Sequence, residues 1–273
     1  MDNKTDIIIF GGQSNMVGQS GSLIPNECID GCFEYRYLTD SIVPLKNPNG
    51  EYIGIDGTQA EPWNGKGNDD DFLKWYKGIA LGGATDGCTN LIPAFCRAYH
   101  KSCKREVLAV PAAKGATHAR DWLSGTKCYE YLVKKAKGAI AKCENIGNIF
   151  FVWFQGENDQ VNSTPPERYE QTLIELKNSL KAELGIQCFG IIRVGRFAND
   201  KRDDDIINSQ ENVCAKDGDF VMLTRIASSL CEEAGRMNPD AAGHFNAYSL
   251  ELIGERAGKK LAQIISERNI QNA

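Results

Sequence analysis

Histidine is scarce in this chain: His100, His118 and His244 are the only three in 273 residues. Ten cysteines occur, yet no two form a Cys-x-x-Cys pair. With so few imidazoles and no paired thiols, no zinc-type ligand cluster stands out. Long apolar runs are missing as well, which argues against a membrane span and a membrane partner. Basic charge is in the minority, with 31 Lys and Arg against 36 Asp and Glu and a net charge of −5. Nucleic acid is therefore not an expected partner, because neutralising phosphates takes a basic footprint. The opening Met1-Asp2-Asn3-Lys4-Thr5-Asp6 lacks the apolar core of a secretory leader. A cytoplasmic location is expected, or secretion if a leader has been trimmed. Most cysteines read as reduced thiols acting as small hydrophobes; a Cys28–Cys32 bridge is left open.

What is present points to an α/β protein. A composition of 42% hydrophobic and 25% charged residues suits a folded chain with a sizeable core. Ile7-Ile8-Ile9-Phe10 is the kind of run a buried parallel strand presents. From residue 90 the pattern alternates. Helices are expected over 91–103, 129–143, 166–184, 204–215 and 247–266, and strands over 106–110, 148–154, 187–194 and 220–224. Tyr169, Leu173, Leu176 and Leu180 mark one apolar helix stripe, and Leu250, Ile253, Ala257, Leu261 and Ile264 another. Asn246 is placed to cap the last helix. Five strands separated mostly by helices predict a three-layer α/β/α sandwich with a parallel sheet in flavodoxin-like order. Residues 20–88 break the pattern. They are rich in Gly, Asn, Asp and Pro, with aromatics at Tyr35, Tyr37, Tyr52, Trp63, Phe72, Trp75 and Tyr76. They read as an irregular folded insertion in a single domain spanning 1–273.

Four segments fall at strand ends or helix starts, where an open parallel sheet gathers its ligand-binding groups. Gly11-Gly12-Gln13-Ser14-Asn15-Met16 follows the first strand, Pro111 to His118 the second, and Gln155-Gly156-Glu157-Asn158-Asp159 the third; Asp240 to His244 precedes the final helix. Together they suggest acyl transfer. A serine hydroxyl needs a base, and histidine titrates in the right range. Ser14 is the candidate nucleophile and His244 the candidate base. Asp240 is the candidate orienting acid, with Glu157 and Asp159 as rivals. Glu157, Asp159, Gln13 and His118 are otherwise candidate substrate contacts. Backbone N–H groups of Ser14 and Gly115 and the side chain of Gln155 are candidate oxyanion donors. Lys114, Arg120, Arg193 or Arg196 could hold a substrate carboxylate. The insertion's aromatics either form a sugar subsite or their own small core.

These four segments, in this order, resemble the SGNH (GDSL-like) hydrolase superfamily. Within it they are similar to the carbohydrate esterase family 6 and sialate O-acetylesterase-like branch. Gly12-Gln13-Ser14-Asn15-Met16 resembles its nucleophile block. Val110 to Thr117 with Trp122, Trp153 to Asp159, and Asp240 to Ala257 resemble the other three. The resemblance spans about residues 7 to 262. It implies a serine esterase without metal or organic cofactor that removes O-acetyl groups from a carbohydrate such as xylan or sialic acid. It implies Ser14, His244 and Asp240 as the catalytic set, with Ser14, Gly115 and Gln155 around the oxyanion. Two departures matter. The acid stands four residues before the histidine instead of three, which leaves open a Ser14–His244 dyad held by a backbone carbonyl. Ala116 occupies the place of a second glycine. The competing readings are a carbohydrate-binding protein on the same fold, a lipase, thioesterase or acyltransferase of the superfamily, and a cysteine or metal centre. Oligomeric state is not legible in the sequence.

Overall fold

Ile7, Ile8, Ile9 and Phe10 are all fully buried, yet they do not share one core. Successive side chains of a strand face opposite ways. Ile7 and Ile9 join one apolar layer, Ile8 and Phe10 the other. Such a strand needs cover on both sides, which helices supply. In the computed structural model, which describes residues 4–24, 28–64, 66–83 and 88–271, it is β1 (Thr5–Gly12), in the middle of a seven-stranded sheet.

Along that sheet lie β3 (Ser41–Pro44), β2 (Cys32–Arg36), β6 (Glu106–Pro111), β1, β7 (Ile146–Phe154), β8 (Cys188–Ile192) and β9 (Phe220–Thr224). All neighbours pair in parallel except the antiparallel β2–β3 edge. The five strands read from sequence run β6-β1-β7-β8-β9, the flavodoxin-like order. The count is corrected from five to seven, because part of the 20–88 segment extends the sheet beyond β6. β2 and β3 are short and set among turn residues, so their alternation gives little periodic signal. β3 ends in Pro44, which an edge strand tolerates. The same segment holds the small pair β4 (Ile53–Gly54) and β5 (Ile79–Leu81) and the helix α2 (Asp69–Lys77). Its positions 25–27, 65 and 84–87 lie outside the described residues.

Helices cover both faces. α3 (Ile92–Cys103) and α9 (Ala247–Gln271) bring Phe95, Leu250, Ile253, Ala257 and Leu261 onto Ile8 and Phe10. α4 (Lys127–Lys142), α6 (Pro166–Leu184) and α7 (Lys201–Lys216) bring Leu132, Leu173, Leu176 and Ile206 onto Ile7 and Ile9. Short helices α1 (Ser14–Val17), α5 (Glu157–Val161) and α8 (Ile226–Glu232) sit in the connections. Asn246 does cap α9, accepting the Ser249 N–H at 3.0 Å. All ten cysteines are free thiols; Cys32 is buried in β2, Cys28 is exposed, and no bridge joins them. Among the described residues no helix is long and apolar enough to cross a membrane.

Candidate active site

Parallel strands end on one rim, so the segments after β6, β1 and β7 meet although they are far apart in sequence. The register sets Phe10 beside Pro111 and Gly12 beside Phe154. Gly12 has φ +141°, and a Cβ there would lie 2.1 Å from the Phe154 carbonyl oxygen. Only glycine lets β1 press that close before the chain turns into α1 and presents Ser14. As the first residue of α1, Ser14 also has a backbone N–H without a partner inside the helix.

His244 reaches Ser14 from the segment before α9. Its Nε2 lies 2.7 Å from the Ser14 Oγ. Its Nδ1 lies 2.9 Å from the Ala242 carbonyl oxygen. A carbonyl only accepts, so Nδ1 carries the proton and Nε2 presents its lone pair to the serine. Burial holds the ring below its ordinary pKa, against the opposing pull of the Ala242 and Ala241 carbonyls. Gly243 makes the loop possible: its φ is +74°, and a Cβ there would overlap the Phe197 ring at 1.7 Å.

Asp240 does not orient the ring, and this corrects the sequence expectation. Asp240 is exposed, its own N–H is held by Asn238 at 3.0 Å, and the Ala242 carbonyl occupies the Nδ1 position. The four-residue spacing carries the carboxylate past the imidazole.

The loop is fixed by a carboxamide instead. Asn15 Nδ2 donates to the Gly243 carbonyl at 3.3 Å, and Asn15 Oδ1 accepts the Phe245 N–H at 3.1 Å. These are the two residues flanking His244. Asn15 Nδ2 also donates to Glu157 Oε1 at 2.7 Å. Glu157 is 2% exposed and lines the cavity; its Oε2 has no partner among the described residues. Burial pushes its pKa up to about 7, although the Asn15 hydrogen bond favours the ionised form. No sequence motif pointed to Asn15 beyond its place beside Ser14.

The second block wraps against Ser14. A Cβ on Gly115 would lie 3.7 Å from Ser14 Cβ, which is ordinary contact. The Tyr76 hydroxyl lies 2.7 and 2.8 Å from the Gly115 and Ala116 carbonyl oxygens and donates between them. Ala116 takes φ +51°, the left-handed conformation a glycine would take more easily.

The third block divides in two. Gln155 is fully buried, with its Nε2 donating to the Thr117 carbonyl and the Asp159 carboxylate and its Oε1 held by Tyr169. It does not line the cavity, so its assignment as an oxyanion donor is corrected. Asp159 is likewise absent from the lining. It accepts from Ala119 N–H at 2.9 Å and Thr164 Oγ1 at 2.7 Å, and so ties loops together instead of meeting substrate. His118 is not among the lining residues either; its Nδ1 lies 3.0 Å from Asn158 Nδ2. Asn158 is the carboxamide that does line the cavity, and sequence reasoning passed over it in favour of Gln155. Its N–H is held by Gln13 Oε1 at 3.2 Å.

The cavity measures about 480 Å³ and gathers Gln13, Ser14, Gly115, Glu157, Asn158 and His244. Its far wall comes from the 20–88 segment. Tyr52, Trp63, Phe72, Trp75 and Tyr76 line it and pack on one another, Trp63 on Trp75 at 5.8 Å and Phe72 on Tyr76 at 6.0 Å. The rings thus pack on one another at the cavity wall and stay partly exposed. Tyr35 and Tyr37 lie elsewhere, against the α4 face of the sheet. Among the described residues no three His, Cys, Asp or Glu side chains converge as a metal site requires.

A family model described as carbohydrate esterase, sialic acid-specific acetylesterase matches residues 4–263. The chain belongs to this family. A probable carbohydrate esterase of Arabidopsis thaliana is 26% identical to the esterase over 198 residues, covering 69% of this chain and 67% of that protein. Its crystal structure superposes with a TM-score of 0.66 at 17% identity over 95% of this chain and 96% of that one. NanS superposes with a TM-score of 0.60 at 13% identity, covering 97% and 99%. A carbohydrate acetylesterase from Xanthomonas citri gives 0.53 at 14%, covering 94% of the esterase and 54% of that chain. At these identities the superpositions establish the α/β/α fold.

Proposed function

We propose that the esterase removes O-acetyl groups from a carbohydrate, with an acetylated sialic acid favoured over acetylated xylan, through an acetyl-enzyme on Ser14. The observation that carries the proposal is the 2.7 Å contact between Ser14 Oγ and His244 Nε2 at the cavity wall. The family's description supports the substrate class. Ser14 Oγ attacks the acetyl carbonyl carbon and its proton passes to His244 Nε2. The tetrahedral oxyanion is met by the N–H groups of Ser14 and Gly115 and by the Asn158 side chain, whose Nδ2 turns from the Ala116 carbonyl and His118 to reach it. Collapse expels the sugar oxygen, which takes the proton from His244. Water, deprotonated by the same ring, then attacks the acetyl-enzyme and releases acetate. The Ala242 carbonyl supports the imidazolium formed in each half, a role that a carboxylate fills in a triad. Gln13 and Glu157 are the assigned contacts to substrate polar groups.

The aromatic wall also gives a second reading specific support, since Tyr52, Trp63, Phe72 and Trp75 could receive a long acyl chain. Two measurements decide between them. Acetate release from O-acetylated sialic acid and from acetylated xylan reads the sugar, and hydrolysis of p-nitrophenyl acetate, butyrate and octanoate reads the acyl group. Acetate preference with turnover of the acetylated sugar supports the proposal. Octanoate preference without sugar turnover refutes it.

A further inference from the structure

Among the described residues three lysines are buried: Lys114, Lys135 and Lys177. Buried ammonium groups need partners, because water no longer solvates them. Lys135 has Glu51 at 2.7 Å, and Lys177 has Asp217 at 2.9 Å and Asp219 at 3.3 Å. Lys114 is 8% exposed, yet its contacts are the Tyr76 ring, 3.4 Å from Nζ to the centroid, and the Tyr76 carbonyl at 3.3 Å. Neither neutralises its charge. Asp121, whose field reaches it, already accepts the His118 N–H. Burial accordingly holds the Lys114 ammonium below the usual lysine range.

Lys114 differs from the other two in a second way: it lines the cavity that contains Ser14. Its backbone is fixed there, with its N–H on the Gly12 carbonyl at 3.0 Å and Ala113 bonded to Gly82 at 2.8 Å. The next residue, Gly115, lies against Ser14. Of the other basic candidates, Arg193 is committed to Glu211 and Arg196 to Asp204, each at 2.7 Å, and Arg120 is not among the residues that line the cavity. A substrate whose ester reaches Ser14 would therefore lie in the same cavity as a lysine whose ammonium has no carboxylate within ion-pair distance among the described residues.

We propose that Lys114 anchors a carboxylate of the substrate, so that the esterase takes O-acetyl esters of acidic sugars in preference to neutral ones. This rests on the sugar O-acetylesterase reading above. The anion neutralises a charge that no described carboxylate pairs with, on an ammonium held against the Tyr76 ring.

The test compares an O-acetylated sialic acid with its methyl ester, which keeps the sugar and the acetyl group and removes the negative charge. Steady-state kinetics are measured for the wild type and for Lys114→Met. The expected result is a wild-type preference for the free acid of roughly 10- to 100-fold in kcat/KM, carried by KM. In Lys114→Met that ratio falls toward one. A wild type without preference, or a preference that survives Lys114→Met, overturns the proposal while leaving the esterase reading intact. Failure of the wild type to hydrolyse either sugar while it hydrolyses p-nitrophenyl acetate overturns both.

Discussion

Asn15 and Glu157, 142 residues apart in sequence, meet at 2.7 Å in a buried hydrogen bond behind the Ser14–His244 pair. That contact links the end of β1 to the end of β7. Through the rest of its carboxamide Asn15 grips the backbone on both sides of His244. One side chain thus ties the turn that carries Ser14 to the loop that carries His244. Asn15→Ala should lower kcat by about 10- to 100-fold and change KM less, because loosening a base by an ångström weakens proton transfer more than binding. Steady-state kinetics on p-nitrophenyl acetate check this. A loss confined to KM would speak against a positioning role.

Glu157 should also leave a mark on stability. Burial pushes its pKa up to about 7 in the folded protein, from an ordinary 4.5. Between those values the folded state binds more protons than the unfolded state, so stability falls as pH rises through that window. The full effect is about 3 kcal/mol from the two pKa values. Glu157→Gln keeps an acceptor for Asn15 and removes the titration, so its stability should vary less between pH 4.5 and 7. Urea denaturation at several pH values measures it, and an unchanged slope would contradict the assignment.

The base should titrate low. Burial depresses the His244 pKa, and among the described residues only the Ala242 and Ala241 carbonyls, not a carboxylate, oppose it. The acid limb of kcat/KM should fall below pH 6.5, with the enzyme fully active by neutrality. A limb above 7 would indicate a carboxylate on Nδ1. In the same experiment Asp240→Asn should stay within about threefold of wild type, whereas loss of a true triad acid costs on the order of 10⁴-fold in kcat.

The two carboxamides of the third block should separate cleanly. Asn158 lines the cavity and Gln155 is locked behind it. Asn158→Ala should cost about 10²- to 10³-fold in kcat with little change in melting temperature. Gln155→Ala takes the amide donor from the Thr117 carbonyl and from the Asp159 carboxylate in a fully buried spot, and should lower stability by roughly 1–3 kcal/mol. Parallel kinetics and thermal melts read both; a kcat loss in the Gln155 variant at unchanged stability would restore the sequence-based assignment.

The division between what was legible and what was not has a physical cause. Ile7 to Phe10, the stripes of α6 and α9, and the strand before Gln155 carry strong periodic patterns, and the five-strand order follows from them. β2 and β3 do not, because four- and five-residue strands among glycines and asparagines have too few positions to show a period. The Ser14–His244 contact was legible because both residues stand at strand or helix ends and the chain offers only three histidines. Asp240 misled because four residues of loop do not fix where a carboxylate points. Gln155 misled for the opposite reason. Its neighbour at position 158 offers the same functional group, and only the turn after β7 decides which amide faces the cavity.

The central claim is that Ser14 carries the acetyl group. Ser14→Ala, assayed beside wild type for acetate release from an O-acetylated sialic acid, tests it most directly. Activity should drop by at least about 10³-fold in a variant that melts at the wild-type temperature. Acetate release that survives the substitution would contradict the account and require another nucleophile.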